Sequence, residues 1–387
     1  MKKLERLFAV LKGEKFDRLP FAADINWWYH VNNVSGTLPE KYKHMTLIEV
    51  ARATGVIAQV NTYIYKIETE NVERVVRSEA VYDGIVGAEF AGPSPFKGLA
   101  KKNSAITVIK TPVGKLRSTY VQTPSSEYEW WLTEFPVKNV EDMRVMKYVF
   151  DHSRAEPAFE EYNTLLQKSC GDDGLVLPVL PHSPVNRIIY DIMGPQRGLI
   201  ALYRHQKEVE DLMLSIERLD DEIYRLAEKH PSKIFEFGEH VHSDLNDPRI
   251  FIKYQIPHFR KRIAPLHAKH KICNCHWDGY FRDLLSLIKE IDFDVIEGVT
   301  PKPSGDVTLT ELRDAVEGKI VLWGGIPASV FCDPYSDQYF EKYVLDTLKT
   351  VAPGDRFIMG LGDNLGPTGY IHRIRLINDI LEKYGYY

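Results

Sequence analysis

Residues able to do chemistry gather in four places, each just after a short apolar run. Glu239, His240, His242 and Asp244 follow Ile234-Phe235-Glu236-Phe237, and Cys273, Cys275, His276 and Asp278 follow Ile272. Glu297 follows Val295-Ile296, and Asp363 follows Phe357-Ile358-Met359. Asp24 and the aromatic run Trp27-Trp28-Tyr29 stand after a fifth run, Leu19–Ala23. Carboxylates brought together repel one another, and a divalent cation relieves that repulsion. Histidine with carboxylates suits zinc, with a coordination position left open for substrate. Each residue also has a simpler reading. A carboxylate after a strand is often a helix N-cap, as for Asp244 or Asp283. Cys273 and Cys275, two apart on a strand, share one face and read as core cysteines. The simpler readings weaken if the strand ends converge, because Glu239, His276, Glu297 and Asp363 then share one pocket.

The elements that would bring them together alternate along the chain. Residues 3–12 read as an amphipathic helix with Leu4, Leu7, Phe8 and Leu11 on one face. A helix over Thr46–Thr54 stops at Gly55, a usual C-terminal glycine. From Gly174 strands and helices follow in turn: strands at Gly174–Leu180, Ile234–Phe237, Lys271–Cys275, Val295-Ile296, Ile320–Trp323 and Phe357–Met359, with helices between. The stretch Pro248–His270 reads as helix broken at Pro257 and Pro265, and Tyr280–Ile291 as helix. Such a succession predicts an α/β protein, a closed (β/α)8 TIM barrel with its active site at the C-terminal ends of the strands. Between about residues 66 and 140 the pattern changes to mixed strands. Turn signals at Asp83-Gly84, Pro112-Val113-Gly114 and Pro124-Ser125-Ser126 separate them, which predicts a β-hairpin region inserted in a single barrel spanning 1–387.

Composition narrows the class. The 387 residues are 44% hydrophobic and 27% charged with a net charge of -5, as in soluble globular proteins and without the basic excess of a nucleic-acid groove. The basic run Arg260-Lys261-Arg262, continued by Lys269 and Lys271, reads as the solvated face of a helix. Four cysteines make no disulfide framework, so a cytoplasmic protein is expected. Lys12, Glu14 and Lys15 interrupt the N-terminal stretch, so neither a signal peptide nor a membrane span is expected. No G-x-S-x-G, Walker or dinucleotide fingerprint occurs.

The stretch Glu5–Pro20, the segment His276-Trp277-Asp278-Gly279, and then Asp294–Glu297, Gly305–Leu309, Trp323–Pro327 and Gly360–Asn364 stand in an order that resembles the uroporphyrinogen-decarboxylase superfamily. The likeness covers nearly the whole chain and implies a barrel and a homodimer. The superfamily's porphyrinogen decarboxylases carry arginines after the first strand to grip substrate carboxylates. Here that place reads Ala23-Asp24-Ile25-Asn26-Trp27-Trp28-Tyr29, with none. The corrinoid-dependent methyltransferase branch holds zinc with an H-x-C element and a later cysteine. His276 matches the histidine, whereas Asp278 and Asp363 fall at or near the cysteine positions. The resemblance thus implies an O-demethylase-type methyltransferase moving a methyl group from a methoxylated compound, an aromatic one being an option, to a corrinoid protein. Glu239, His276 and Glu297 would be zinc ligands, with Asp278 and Asp363 catalytic. Asp24, Trp27, Trp28, Tyr29 and His242 would contact the small-molecule methyl donor. The competing expectations are a decarboxylase or lyase acting on a small acid, and a barrel that has become a scaffold.

Overall fold

The computed structural model describes residues 1–78, 103–122, 130–165 and 170–386. The strands, in chain order, are β1 (Ala22–Ala23), β2 (Ile57–Thr62), β3 (Tyr65–Thr69), β4 (Glu73–Ser78), β5 (Asn103–Thr111), β6 (Gly114–Gln122) and β7 (Trp130–Glu134). They continue as β8 (Ser153–Pro157), β9 (Gly174–Leu180), β10 (Ile234–Phe237), β11 (Ile272–His276), β12 (Val295–Val299), β13 (Val321–Pro327) and β14 (Phe357–Gly362). Contacts divide the chain into two compact units, one of Met1–Thr62, Tyr162–Val179 and Ser232–Tyr387, the other of Tyr63–Glu161 and Leu180–Pro231.

The first unit carries the expected barrel. Eight strands run in the order β1-β2-β9-β10-β11-β12-β13-β14, with β1, β2 and β9 parallel to one another and β10 to β14 likewise. The ends meet through parallel bridges Phe21–Met359 and Asp24–Asn364. The barrel strands are buried on both faces, as a sheet wrapped in helices must be, so they read as apolar runs rather than alternating ones. The amphipathic helix Lys3–Lys12 supplies Leu7, Val10 and Leu11 to one cluster with Ala22, Ile57, Leu177, Ile234, Val295, Val321, Trp323 and Ile358. Each such side chain contributes on the order of 1.5–3 kcal/mol by leaving water. Trp323 spends its indole N–H on Ala22 O at 2.9 Å, so the large ring is buried without a polar cost.

The second unit contains a four-stranded antiparallel sheet, β4-β5-β6-β7, a separate β3-β8 pair, and the helices Val140–Asp151 and Gln206–Lys229. The expected turn at Pro112-Val113-Gly114 joins β5 to β6, with Thr111 facing Gly114. The expected turns at Asp83-Gly84 and Pro124-Ser125-Ser126 lie outside the described residues. A buried Arg187–Asp220 pair at 2.7 Å links two helical segments of this unit.

Several elements differ from expectation. Strand β2 and the helix Asn26–Ser35 are additional. The Pro248–His270 stretch does not break at either proline: a π-helical segment, Phe251–Gln255, opens the turn ahead of Pro257, and Pro265 sits within the helix Ile256–His267. The wider turn relieves the clash between a proline ring and the preceding carbonyls. The segment after β11 is a 3-10 helix, Arg282–Glu290, not an α-helix. The basic run is not one solvated face, because Arg262 is buried whereas Arg260 is exposed and pairs with Glu290 at 3.2 Å.

Candidate metal centre

Parallel register creates the core of the site. His276 ends β11 directly opposite Glu297 in β12, so both side chains leave the sheet on the same side at the same height. His276 Nδ1 and Glu297 Oε2 lie 2.5 Å apart. The carboxylate accepts, so Nδ1 carries the proton and Nε2 faces away from Glu297. From Nε2 the distances are 3.8 Å to Asp278 Oδ2 and 3.9 Å to Asp363 Oδ1. His240 Nδ1 lies 3.7 Å from the same Asp278 oxygen, and its ring stands nearly perpendicular to that of His276. One donor atom from each of His240, His276 and Asp278 falls within 4.8 Å of the others.

The electrostatics match a site built around positive charge. Burial would push the His276 imidazole down, but the Glu297 charge and the facing Asp278 outweigh it and raise the group well above its ordinary value. Burial works against ionised Asp278, yet His240 and His276 hold its carboxyl far below the usual range. Three other carboxyls are pushed the opposite way, burial leading in each case: Asp24 to about 6, Asp363 to about 7 and Glu236 to about 8. A divalent cation among them would remove the mutual repulsion.

Local backbone geometry aims these groups. Asp363 has φ of 82°, a left-handed conformation that costs a non-glycine residue on the order of 1–3 kcal/mol and marks functional sites. At Gly298, φ is 78°, and a Cβ there would come 2.9 Å from His276 Cε1. Only glycine therefore leaves room for the imidazole in this orientation. Behind Glu297, Gln59 of β2 donates from Nε2 to Oε1 at 2.9 Å. Deeper in the barrel, Asn274 Nδ2 donates to Glu236 Oε2 at 3.3 Å.

The expected site residues separate into groups. His276, Asp278 and Asp363 come together, with Glu297 on the far nitrogen of the histidine ring. Glu239 is fully buried and is not among the converging donors; its charge instead adds to burial in raising the Cys275 thiol. Cys273 and Cys275 are buried and alternate with Asn274 and His276, so their thiols leave the other face of the strand. Asp24 accepts from the backbone N–H and side-chain amide of Asn26, both at 2.7 Å. Trp28 is buried edge-on against Tyr42, and Tyr29 donates to Met45 O at 2.8 Å, which are packing roles. Trp27, partly buried, lies beside Gly366 in the loop after β14. His242 lies against the Tyr280 ring, with centroids 4.6 Å apart, and accepts on Nδ1 from the Asp244 N–H at 3.3 Å. Gln59, Glu236 and Asn274 were not expected. Polar residues within barrel strands are costly unless used, and that was the signal available for finding them.

A second cluster, His267, Cys273 and Asp294, sits at the other ends of β11 and β12. There Asp294 Oδ2 is already taken by the Cys273 N–H at 2.8 Å and His267 Nε2 at 2.9 Å. Burial followed by the Asp294 charge raises the Cys273 thiol well above its ordinary value, which disfavours a thiolate ligand.

No family model and no curated protein matches the chain. Among solved structures it is similar to a methyltransferase from Methanosarcina mazei, at 12% identity and a TM-score of 0.58, with 99% of each chain covered. At that identity the likeness shows the fold. Among the described residues, no helix is long and apolar enough to cross a membrane.

Proposed function

We propose that this chain is a metal-dependent methyltransferase, moving a methyl group from a methoxylated, aromatic compound to a corrinoid carried by a separate protein. The observation that carries the reading is the convergence of His240, His276 and Asp278 on one point at the barrel mouth. The fold shared with a methyltransferase supports it.

The nitrogen and oxygen donors fit zinc, with His240, His276 and Asp278 as ligands and one position open. Glu297 acts as the carboxylate that orients a ligating histidine rather than as a ligand. When bound, zinc supplies a Lewis acid that polarises the ether oxygen of the donor. Asp363 stands beside Nε2 of His276 and, in its protonated form, would give its proton to the leaving oxygen. The methyl–oxygen bond breaks with its electron pair staying on oxygen, and the methyl carbon bonds to the reduced corrinoid. Asp24, Trp27 and His242 contact the methyl donor. The protein would work in the cytoplasm as a homodimer.

Metal analysis tests the site: about one zinc per chain is expected, in line with a single catalytic centre, and lost in His276→Ala. Incubation with a reduced corrinoid protein and a panel of aryl methyl ethers tests the reaction. Methylated corrinoid and free phenol should form together with zinc-loaded protein, and zinc-loaded protein that forms neither, or metal-free protein that forms both, would overturn the proposal.

A further inference from the structure

Gln59 is buried in β2, four places from β12 in the sheet order, yet its side chain crosses to Glu297. Both ends of this residue are fixed. Asn26 Nδ2 donates to its backbone carbonyl at 2.8 Å, and its own Nε2 donates to Glu297 Oε1 at 2.9 Å. An ionised carboxylate only accepts, so the amide can present only its nitrogen there. Glu297 is then held at both oxygens, one by Gln59 and the other by His276 Nδ1. Without the amide, the terminal carboxylate torsion of Glu297 is a broad, soft rotation. Gly298 bounds the imidazole ring itself, so the orientation of the carboxylate decides the quality of the Nδ1 hydrogen bond.

We propose that Gln59 is a positioning residue, acting through Glu297 to hold the Nδ1 proton of His276 in its hydrogen bond with that carboxylate and to present Nε2 toward Asp278 and Asp363. That Nε2 then meets a metal rests on the proposed function, whereas the Nδ1–Glu297 hydrogen bond does not.

Two measurements keep those apart. In the metal-free protein, the Nδ1 proton of His276, assigned by its absence in His276→Gln, should give a low-field NMR resonance from its short bond to Glu297. Gln59→Met, close in shape but without the donor, should shift or broaden it. Gln59→Asn, which keeps the amide but draws it back, should do the same and decides the matter if the methionine variant does not fold. The second measurement is a zinc titration against a chelator, using the metal alone. Loss of an outer partner of a metal-bound histidine costs about 10–100-fold in affinity, and Gln59→Met, acting one hydrogen bond further out, should fall at about 10-fold, the low end of that range. In a Glu297→Gln background the same substitution should add nothing, because its effect passes through the missing carboxylate. An unchanged Nδ1 resonance in the Gln59 variants overturns the proposal, as do losses in zinc affinity that multiply. A resonance that responds in a protein taking up no zinc upholds the role of Gln59 and removes the metal reading instead.

Discussion

Two histidine–carboxylate pairs bracket the same two strands, and they do opposite work. At the C-terminal ends of β11 and β12, His276 meets Glu297; at the N-terminal ends, His267 meets Asp294. The residue types are nearly the same, and so are the distances. What differs is where the carboxylate is committed. Asp294 spends the oxygen that meets His267 on a backbone N–H as well, capping the start of β11, whereas Glu297 is held through the side chains of Gln59 and His276. A carboxylate tied to the backbone fixes a strand. One held by side chains can instead orient the histidine in front of it, and only at the mouth do further donors from His240, Asp278 and Asp363 stand within reach. A cluster of ligand-type residues is therefore not yet a site; the free valence of its members decides.

The sharpest way to break this contrast is to remove a donor from each end. His276→Ala or Asp278→Ala should lower zinc affinity more than about 100-fold, beyond the range expected for an outer partner. His267→Ala should leave affinity unchanged by chelator competition. Equal losses at the two ends would erase the distinction. A smaller effect comes from the carboxylates. Glu297→Gln should weaken zinc by about 10–100-fold with little loss of stability. Asp294→Asn should leave zinc binding alone and lower unfolding free energy by about 1.5–3 kcal/mol, the worth of hydrogen bonds to a charged group. Denaturant unfolding and zinc titration of both variants would show whether the roles are exchanged.

A further effect is a pH slope set by the buried carboxyls of the barrel. Asp24, Asp363 and Glu236 hold their protons to about 6, 7 and 8 in the fold, whereas unfolded carboxyls release theirs near pH 4. Between those limits the unfolded chain binds fewer protons, so stability of the metal-free protein should fall as pH rises from about 4 to about 8. Asp278, held low, acts oppositely and loses its contribution only as pH drops below about 4. Glu236→Gln should flatten the upper part of the slope. Unfolding midpoints that rise across this window would contradict the electrostatics of the mouth.

Much of this was readable in the chain itself, because local rules carry it. The apolar run Gly174–Leu180 is a strand with those same limits, and the Lys3–Lys12 helix follows from its apolar face. The chemistry-bearing types after each strand were legible too, since a barrel places its site at those ends. Strand β2 was not legible. Its sequence Ile-Ala-Gln-Val-Asn-Thr mixes polar and apolar residues, and Gln59 counts against a buried strand until its partner across the barrel is known. With β2 unread, the amide that holds Glu297 was unread as well.

The sequence by itself determined the alternation of strand and helix, hence the barrel, and the supply of histidines and carboxylates at its mouth. Only tertiary structure decided which of them meet. After β10 the Glu239 N–H turns back to the Phe237 carbonyl at 2.7 Å. That tight turn ends the strand's simple alternation, and Glu239 is buried while its neighbour His240 joins the cluster. Likewise, His276 and Glu297 are 21 residues apart in sequence and become neighbours through the register of two parallel strands. Spacing along a chain states which groups are available, whereas register and turns, set by packing of the whole barrel, fix the few ångströms on which coordination depends.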